Sequence, residues 1–351
     1  MAPRYPWIDR PANVTDDQLS LFPLSPPART HTGDTAGDGE PEPLLDTHAE
    51  VRALAEQVPA TVRFGTSSWS FPGWSGIVYR RPRTQTELAR DGLAEYARYP
   101  LFGTVGIDRS YYAPLTPDDL RRYAAQLPPG FPCCAKVPAM YASPLIPGSG
   151  RESPAVVNRD FLSSEGFLRD VLEPWSLWFG GHAGPFVLEI PPVPPGERLA
   201  PERFADTLHA FLDRLPRHVE VGVELRDRRL LGERYAQVLK ATGALHVYNY
   251  WSAMPLPALQ AQIVPPEQGP ALMIRLLLRP GTRYESQREA FRPFNRLADV
   301  DEGMRRDVVG LLHGAVQRAQ PAYVLVNNKA EGSAPLTIRA LAEQVVAALT
   351  R

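Results

Sequence analysis

Two glutamates lie inside apolar segments of this sequence, where an unpaired charge is unfavourable. Glu189 lies in the segment VLEIPP and Glu224 in VGVELRD. An ionised carboxylate is costly to bury unless it is paired, so both side chains need a partner or a chemical task. If the two segments are neighbouring strands, the pair can act as acid and base, straddle one hard cation, or form structural ion pairs with nearby basic residues.

Lys136 is the next candidate, because the sequence rarely uses lysine. Of 38 basic residues only Lys136, Lys240 and Lys329 are lysines, and the rest are arginines. A desolvated amine can lose its proton near neutral pH, whereas a guanidinium cannot. Since Lys136 follows an apolar segment, we expect a base, a phosphate contact or an imine former, or else an amine that pairs structurally with a glutamate.

Further polar and aromatic residues follow similar segments and are predicted to bind substrate. Arg226 and Arg275 can each hold an anion through two parallel hydrogen bonds. Asn327 and Asn328 can orient a substrate, although an asparagine pair that forms a turn would look the same. Aromatic side chains there can stack on a ligand or simply close the protein interior. The set predicted to bind substrate is Trp69, Asp108, Tyr112, Arg226, Arg275, Asn327 and Asn328.

The sequence offers no pattern typical of a bound metal or cofactor. Its seven histidines are scattered, and only His246 lies within a predicted strand, so a histidine-rich metal cluster is not expected. Cys133 and Cys134 are adjacent and would point to opposite faces of a strand, so they are predicted to be buried thiols. Gly-x-Ser-x-Gly, phosphate-loop and paired-cysteine zinc patterns are missing too. We therefore predict a site without metal or cofactor.

The elements that must position these residues alternate regularly from residue 62 onward. Eight alternations of strand and helix in about 290 residues predict an α/β fold, a (β/α)8 TIM-type barrel, in which the polar residues above meet at the carboxyl ends of the strands. A doubly wound open sheet is the alternative, but no Gly-rich nucleotide fingerprint opens a predicted helix. The predicted strands are 62–66, 103–108, 132–136, 185–190, 219–224, 244–249, 271–276 and 322–327. The predicted helices are 87–99, 117–126, 159–178, 201–214, 230–242, 304–318 and 336–349, with a weaker pattern at 256–263.

Composition narrows the class of protein. The 351 residues are 44% hydrophobic and 22% charged, with a formal net charge of −1. This near-neutral balance argues against wholesale coating of nucleic acid, while a local anion site stays open. The sequence has no run of 18 or more apolar residues, and its start lacks the apolar core of a secretory signal. We therefore predict a cytoplasmic protein.

The first 59 residues differ in composition from the rest. They are rich in Pro, Gly, Asp and Thr, as in SPPARTHTGDTAGDGEPEP. Such a segment buries too little apolar surface to offset its ordering entropy, so 1–59 is predicted to be a mostly disordered tail with a short helix near 44–57. Residues 60–351 are predicted to form the barrel.

Between residues 62 and 349 the sequence resembles the family called domain of unknown function 72, the YecE-like proteins. The segments FGTSSWSFPGWSGIVY, AKVP, VGVELRD and VLVNNKAEGSAPLTIRALAEQV occur in the family's order. The resemblance implies a TIM-type barrel and no established reaction. The residues that match the family's pattern include Trp69, Tyr112, Lys136, Glu224, Arg226, Arg275, Asn327 and Asn328.

The sequence also departs from that family's usual pattern. Gly106 stands where the family commonly has Glu, and Asp108 where Asn is usual. Glu189 stands where Gln is common, and Leu277 and Leu278 replace an expected His-Gly. These changes indicate either a subfamily with altered chemistry or a loss of the inherited activity.

The tail carries a second resemblance, at residues 18–22. The pentad QLSLF resembles the bacterial sliding-clamp-binding motif found on flexible ends of replication and repair proteins. In that motif Leu21 and Phe22 would enter an apolar pocket, next to Leu19, while Gln18 would form a hydrogen bond at its rim. The alternatives are that the segment packs against the protein's own surface, or that so short a match arises by chance.

Together these observations predict an enzyme tethered to a sliding clamp. The reaction would be a hydrolase or lyase step on an anionic substrate, DNA- or nucleotide-related, at the strand ends. Lys136 and Glu224 would transfer protons, with Glu189 as a second carboxylate. A non-catalytic, clamp-associated adaptor is one alternative, and a sugar-active enzyme that uses Glu189 and Glu224 is another.

Overall fold

A computed structural model describes residues 47–146, 155–282 and 284–350 of the chain. Each predicted strand is present, and its observed bounds differ from the predicted ones by two residues at most. Six of these eight strands end at or next to a residue that the sequence marked as a site candidate. The strands are β1 (Val62–Thr66), β2 (Val105–Ile107), β3 (Cys133–Ala135), β6 (Phe186–Ile190), β7 (Val221–Leu225), β8 (Leu245–Tyr250), β9 (Leu272–Leu276) and β10 (Ala322–Val326), with a short antiparallel hairpin, β4 (Leu145–Ile146) and β5 (Val156–Val157), inserted after β3.

The long strands are parallel and follow chain order around the sheet. Six of them form one sheet in the order β1-β10-β9-β8-β7-β6, and β2 pairs with β3. Backbone hydrogen bonds connect the two groups: Val137 N donates to Val187 O at 2.9 Å, and Gly103 N donates to Phe64 O at 2.8 Å. The predicted α/β class is therefore confirmed, with a six-stranded parallel sheet and helices, while the closed (β/α)8 barrel stays a prediction.

Helices follow the strands and begin with recognisable caps. Thr84 and Glu87 form a capping box, and Thr116 caps a helix whose first residue is Pro117. The helices are α1 (Thr47–Ala55), α2 (Gln85–Asp91), α3 (Leu93–Tyr96), α4 (Pro117–Ala124), α5 (Ala139–Ala142), α6 (Ser164–Phe167), α7 (Glu173–Phe179), α8 (Pro201–Asp213), α9 (Glu233–Thr242), α10 (Pro257–Ile263), α11 (Tyr284–Phe291), α12 (Glu302–Gln317) and α13 (Ala334–Leu349).

The helix predicted at 159–178 is divided in the structure. A π-helical turn at Leu168–Leu172 separates α6 from α7. Pro174 gives a physical reason, because its ring lacks an N–H and clashes with the carbonyl four residues earlier, which favours a wider turn. Helix α11 was not predicted, because its sequence YESQREAF has few apolar residues.

Two apolar clusters lie on opposite faces of the strands. On β6, Phe186, Leu188 and Ile190 belong to the large cluster that includes the helices. Val187 belongs to a smaller cluster formed almost entirely by strand residues. Because side chains alternate along a strand, Glu189 lies on the same face of β6 as Val187, near the carboxyl end of that strand.

Helix α1 packs against the folded unit, although it falls within the predicted tail. Val51 is buried, and His48 Nε2 lies 2.8 Å from the carbonyl oxygen of Ile77. Arg339 of α13 pairs with Glu50 at 3.2 Å. The folded unit therefore includes residues from 47 onward, and the pentad at 18–22 lies outside the described residues. Within the described ranges, no helix combines the length and apolar character needed to cross a membrane.

Candidate active site at the strand ends

Six ionisable side chains meet at the carboxyl ends of the strands. Each is more than nine-tenths buried, and the exposed fraction falls from 8% at Asp108 to 0% at Glu224 and Arg275. They come from or directly follow β2, β3, β6, β7 and β9, so distant parts of the sequence build one cluster. We call this cluster the ion network, and its members are Asp108, Lys136, Glu189, Glu224, Arg226 and Arg275.

The register of the strands sets the positions in the ion network. Glu189 on β6 is directly opposite Glu224 on β7. Asn249 on β8 is directly opposite Arg275 on β9. Because in-register residues of neighbouring strands lie on the same face, both glutamates are directed to the interior, where Arg275 reaches them.

One oxygen of Glu189 is the centre of the ion network. Glu189 Oε2 lies 2.9 Å from Lys136 Nζ and 2.9 Å from Arg226 Nη2. Arg275 Nη1 lies 3.4 Å from the same oxygen. Three cationic groups therefore converge on a single carboxylate oxygen.

The other two carboxylates complete the pairing. Glu224 accepts from Arg275 and lies 2.6 Å from Arg226 Nε. Asp108 accepts from Arg275 Nη2 at 3.1 Å, and Lys136 Nζ lies 3.8 Å from it. Arg275 thus contacts all three carboxylates, so the ion network contains three acidic and three basic groups and has no net charge.

The ion pairs shift the pKa of Glu189 in a defined direction. Burial alone would raise the pKa of this carboxyl, but the charges of Arg226, Lys136 and Arg275 outweigh burial and hold the pKa well below its ordinary value. Burial likewise disfavours the charged form of Arg275, and Glu224, Asp108 and Glu189 nonetheless raise its pKa. Both groups are therefore ionised at neutral pH.

Aromatic rings flank two of the cations. The guanidinium of Arg226 lies over Trp251, with Cζ 4.0 Å from the ring centroid. Lys136 Nζ lies 5.1 Å from the ring centroid of Tyr111. Such rings stabilise a cation and exclude water from it, so they strengthen electrostatic interactions with a bound group.

The hydrogen-bonding groups left over at the strand ends are mainly donors. Arg226 Nη1, Arg275 Nε and the hydroxyl of Ser67 are buried and find no hydrogen-bond partner among the described residues. A buried donor without an acceptor is unfavourable, and more so when it is charged. The site is therefore better completed by a group that supplies acceptor oxygens than by another donor.

The comparisons with known proteins agree with the fold. The family model described as a protein of unknown function, DUF72, matches residues 63–351. The chain belongs to the DUF72 family. None of the curated proteins compared with it matches.

Two solved DUF72 proteins have a similar structure. The Enterococcus faecalis protein is 16% identical with a TM-score of 0.55, over 82% of this chain and 95% of that one. The Thermotoga maritima protein is 19% identical with a TM-score of 0.54, over 83% of this chain and 99% of that one. Similarity at this level of identity shows a shared fold.

Other predicted site residues of this DUF72 protein make structural contacts outside the ion network. Trp69 Nε1 donates to Leu88 O at 2.9 Å, so its indole is directed toward α2. Asn328 Oδ1 accepts from Trp74 Nε1 at 3.1 Å and from Ala334 N at 2.8 Å, which fixes the start of α13.

Two further candidates lie close to the strand ends. Asn327 Oδ1 accepts from the backbone of Lys329 at 3.1 Å, as in an Asx turn. Tyr112 is half-buried and meets Tyr111 edge to face, with the ring centroids 5.8 Å apart. Tyr112 therefore stands beside a ring that flanks Lys136.

The three carboxylates do not form a metal site. Among the residues that the structure describes, no group of His, Cys, Asp or Glu is arranged to hold a metal ion. Asp108, Glu189 and Glu224 instead direct their oxygens to arginine and lysine nitrogens. These contacts therefore do not support the interpretation of Glu189 and Glu224 as a pair that straddles one hard cation.

Two departures from the family pattern have a structural explanation. A side chain at Gly106 would place Cβ 2.9 Å from the backbone oxygen of Ser67, so this close approach of strands leaves no room for one. Leu277 and Leu278 are buried, and both backbone N–H groups donate to Tyr250 O.

One supporting residue carries no signal in the sequence. Gln260 of α10 is fully buried, and its Nε2 donates to Asn249 O at 2.7 Å. Asn249 Nδ2 in turn donates to Leu225 O at 2.7 Å, next to Arg226. A polar residue in a short helix is usually exposed, so composition gave no reason to select Gln260.

Proposed function

We propose that this DUF72 protein is a hydrolase or lyase that acts on an anionic, oxygen-rich group at the strand ends. The observation that carries the proposal is the buried ion network together with its surplus of N–H donors. A preorganised set of donors and charges in a water-poor site stabilises negative charge as it develops in a transition state. A structural ion pair needs neither that surplus nor a position at the strand ends.

Lys136 and Asp108 are the groups best placed to meet a substrate. They are the most exposed members of the ion network, at 6% and 8%, and Nζ lies 3.8 Å from the carboxylate. An ammonium beside carboxylates is a proton donor, and the carboxylate beside it can take up a proton, so the two form an acid–base pair.

Glu224 and Arg275 take positioning roles in this proposal. Both are fully buried and contact each other. The sequence alone suggested proton transfer by Glu224 and anion binding by Arg275. Full burial of Glu224 instead supports a role in orienting Arg226, whose Nη1 supplies a donor for the substrate. Arg275 holds Glu224 in place and keeps the anion-binding role.

A sugar-active enzyme based on Glu189 and Glu224 has less support. Such enzymes need one carboxyl group that stays protonated to act as the acid. The pKa of Glu189 is held well below its ordinary value, so this residue is an ionised carboxylate at neutral pH. The other carboxyl group, Glu224, is fully buried and paired with Arg226 and Arg275, so it is not placed to protonate a substrate. The acid in the proposed mechanism is therefore Lys136.

A panel of chromogenic substrates tests the proposal. Wild type is assayed with 4-nitrophenyl phosphate, bis(4-nitrophenyl) phosphate, 4-nitrophenyl sulfate and neutral 4-nitrophenyl glycosides, beside Lys136→Met and Asp108→Asn. Lys240→Met, at an exposed lysine of α9, is the matched control. We expect turnover of an anionic ester that falls at least about 100-fold in both site variants and is unchanged in the control.

The other outcomes separate the alternatives. Equal activity in wild type, Lys136→Met and Asp108→Asn rejects the site. Cleavage of neutral glycosides alone favours the sugar-active enzyme. No turnover of any ester, together with capture of a protein partner, favours the non-catalytic adaptor.

We also propose that the tail tethers this protein to a bacterial sliding clamp. The support is the pentad of Gln18, Leu19, Ser20, Leu21 and Phe22, which lies 25 residues before α1. A peptide of residues 15–26 is expected to bind a purified clamp with a micromolar Kd in a fluorescence anisotropy titration, and Leu21→Ala with Phe22→Ala should abolish binding. No binding by the unmodified peptide rejects the tether.

A further inference from the structure

We infer that Lys136, Arg226 and Arg275 form a binding pocket for a small oxyanion, carboxylate or phosphate, which the carboxylate of Glu189 occupies in the ligand-free protein. The inference rests on the proposed function, because it assigns the chemical group by which a substrate enters the same site. It is tested by binding rather than by turnover, so the two proposals can fail separately.

The convergence of cations on Glu189 is the first support. Glu189 Oε2 has Lys136 Nζ and Arg226 Nη2 at 2.9 Å and Arg275 Nη1 at 3.4 Å. Those three side chains follow or lie in three different strands, β3, β7 and β9. A set of donors from separate elements around one oxygen is the geometry by which proteins bind carboxylate and phosphate groups.

A second buried carboxylate in the same chain shows the contrast. Glu331 is also fully buried, and a single arginine neutralises it: Arg305 donates Nε to Oε1 at 2.9 Å and Nη2 to Oε2 at 2.8 Å. One bidentate guanidinium and the backbone N–H of Asp301, at 2.8 Å, are therefore enough to bury a glutamate in this protein. Glu189 instead has three cations around one oxygen, and it shares these cations with the other two carboxylates of the ion network.

The unpartnered nitrogen of Arg226 is the second support. Arg226 is 3% exposed, and its Nη1 finds no hydrogen-bond partner among the described residues. Its Nη2 already contacts Glu189, so the edge of the same guanidinium can offer a further N–H to a ligand with several oxygens. Carboxylate and phosphate groups have that number of acceptor positions, whereas the single oxygen of an alcohol does not.

The charge balance of the ion network indicates that Glu189 competes with a bound anion. With Glu189 ionised, the three cations are matched by three carboxylates, and an added anion would leave the cluster with an excess negative charge. Without that carboxylate the cluster carries one positive charge. Glu189 therefore competes with the ligand and weakens anion binding in the free protein.

Chemical rescue tests the inference. Glu189→Ala removes the carboxylate and leaves a space beside the cations, which acetate can refill. Leu188→Ala is the matched control, because Leu188 is the preceding residue, is fully buried and faces the apolar cluster on the other side of β6. Thermal unfolding is measured for both in sodium acetate and in sodium chloride at equal ionic strength.

We expect acetate to raise the Tm of Glu189→Ala by at least about 2 °C over chloride, and to leave wild type and Leu188→Ala unchanged. An equal response of the two variants overturns the inference. If Glu189→Ala shows no cooperative transition in either salt, Glu189→Gln is titrated with inorganic phosphate by calorimetry. At least tenfold tighter binding than wild type then supports the inference, and equal affinity overturns it.

Discussion

Removal of Arg275 is the most direct test of how the ion network stabilises the protein. Arg275 is fully buried and contacts Glu224, Asp108 and Glu189. Arg275→Met keeps the length of the side chain but leaves three carboxylates against two cations. Breaking a buried ion pair from one side costs about 3–5 kcal/mol, because a charge stays buried without compensation. We expect a loss of that size in the free energy of unfolding, measured by urea denaturation at pH 7.

The pH dependence of the variant gives a sharper readout than the loss itself. In wild type the folded pKa of Glu189 is depressed, so its contribution to stability is present above the unfolded pKa of roughly 4.3 and is lost as the pH falls below it. In Arg275→Met three buried carboxylates share two cations, so we expect the carboxylate that is left without a partner to have a higher pKa in the folded state than in the unfolded state. At this site the folded state then binds more protons than the unfolded state, so the stability of Arg275→Met rises relative to that of wild type as the pH falls from about 7 to 5.

An exposed arginine supplies the control for both readouts. Arg234 pairs with Asp206 at 2.8 Å, and the two side chains are 57% and 64% exposed. Arg234→Met should cost less than about 1 kcal/mol and keep the wild-type dependence on pH, because solvent screens such a pair. A loss below about 1 kcal/mol in Arg275→Met, or a stability that does not rise relative to that of Arg234→Met as the pH falls from 7 to 5, would refute the proposed electrostatics.

Three further predictions concern the framework around the site. His246 lies between Tyr235 and Gln260, and burial lowers its pKa to about 4. In an NMR titration its imidazole should therefore stay neutral at pH 6. A titration midpoint near pH 6.5 would contradict the described packing. Because the pKa of His246 is lowered in the folded state, wild type should lose stability as the pH falls from about 6.5 toward 4, where the unfolded state binds a proton that the folded state does not. A free energy of unfolding that stays constant across that range in urea denaturation would contradict this prediction. Gly65→Ala should lower the free energy of unfolding by at least about 2 kcal/mol, because the added Cβ would lie 2.2 Å from the backbone oxygen of Thr104. Gly196→Ala is the control: its Cβ meets nothing within 4 Å, so the free energy of unfolding should change by less than about 0.5 kcal/mol. Equal effects of the two substitutions would show that β1 and β2 do not approach so closely.

The strands were readable from the sequence because their apolar runs are short and sharply bounded. Strand β1 has the predicted bounds, Val62–Thr66, and β7 extends one residue past its predicted end at residue 224. The helix predicted at 159–178 was less accurate, since one proline turned its middle into a π-helical segment. The local sequence pattern thus predicted where the strands and most helices lie, and it missed the π-helical turn within one predicted helix.

Each member of the ion network could be predicted from the sequence as a site residue, but the contacts between them could not. The apolar context of Glu189 and Glu224 marked both as unusual, and their proximity follows from the register of β6 and β7. The contact of Arg275 with Asp108 joins residues 167 positions apart in the chain, which no local pattern encodes. Trp69 was placed at the site, but its indole turns toward α2 because the alternation of side chains ends with the strand.

Charge neutrality across six positions also constrains how this protein can change during evolution. A lineage with fewer of the three acids, as in the usual family pattern with Asn at position 108 and Gln at position 189, retains surplus cations in a buried interior. An acid gained nearby, as at position 106, a loss among the bases, or a bound anion restores the balance. Sequences of close relatives should therefore show paired substitutions at these six positions, far apart in the chain yet inherited together. A homologue without such compensation would be expected to hold an anion between the three bases.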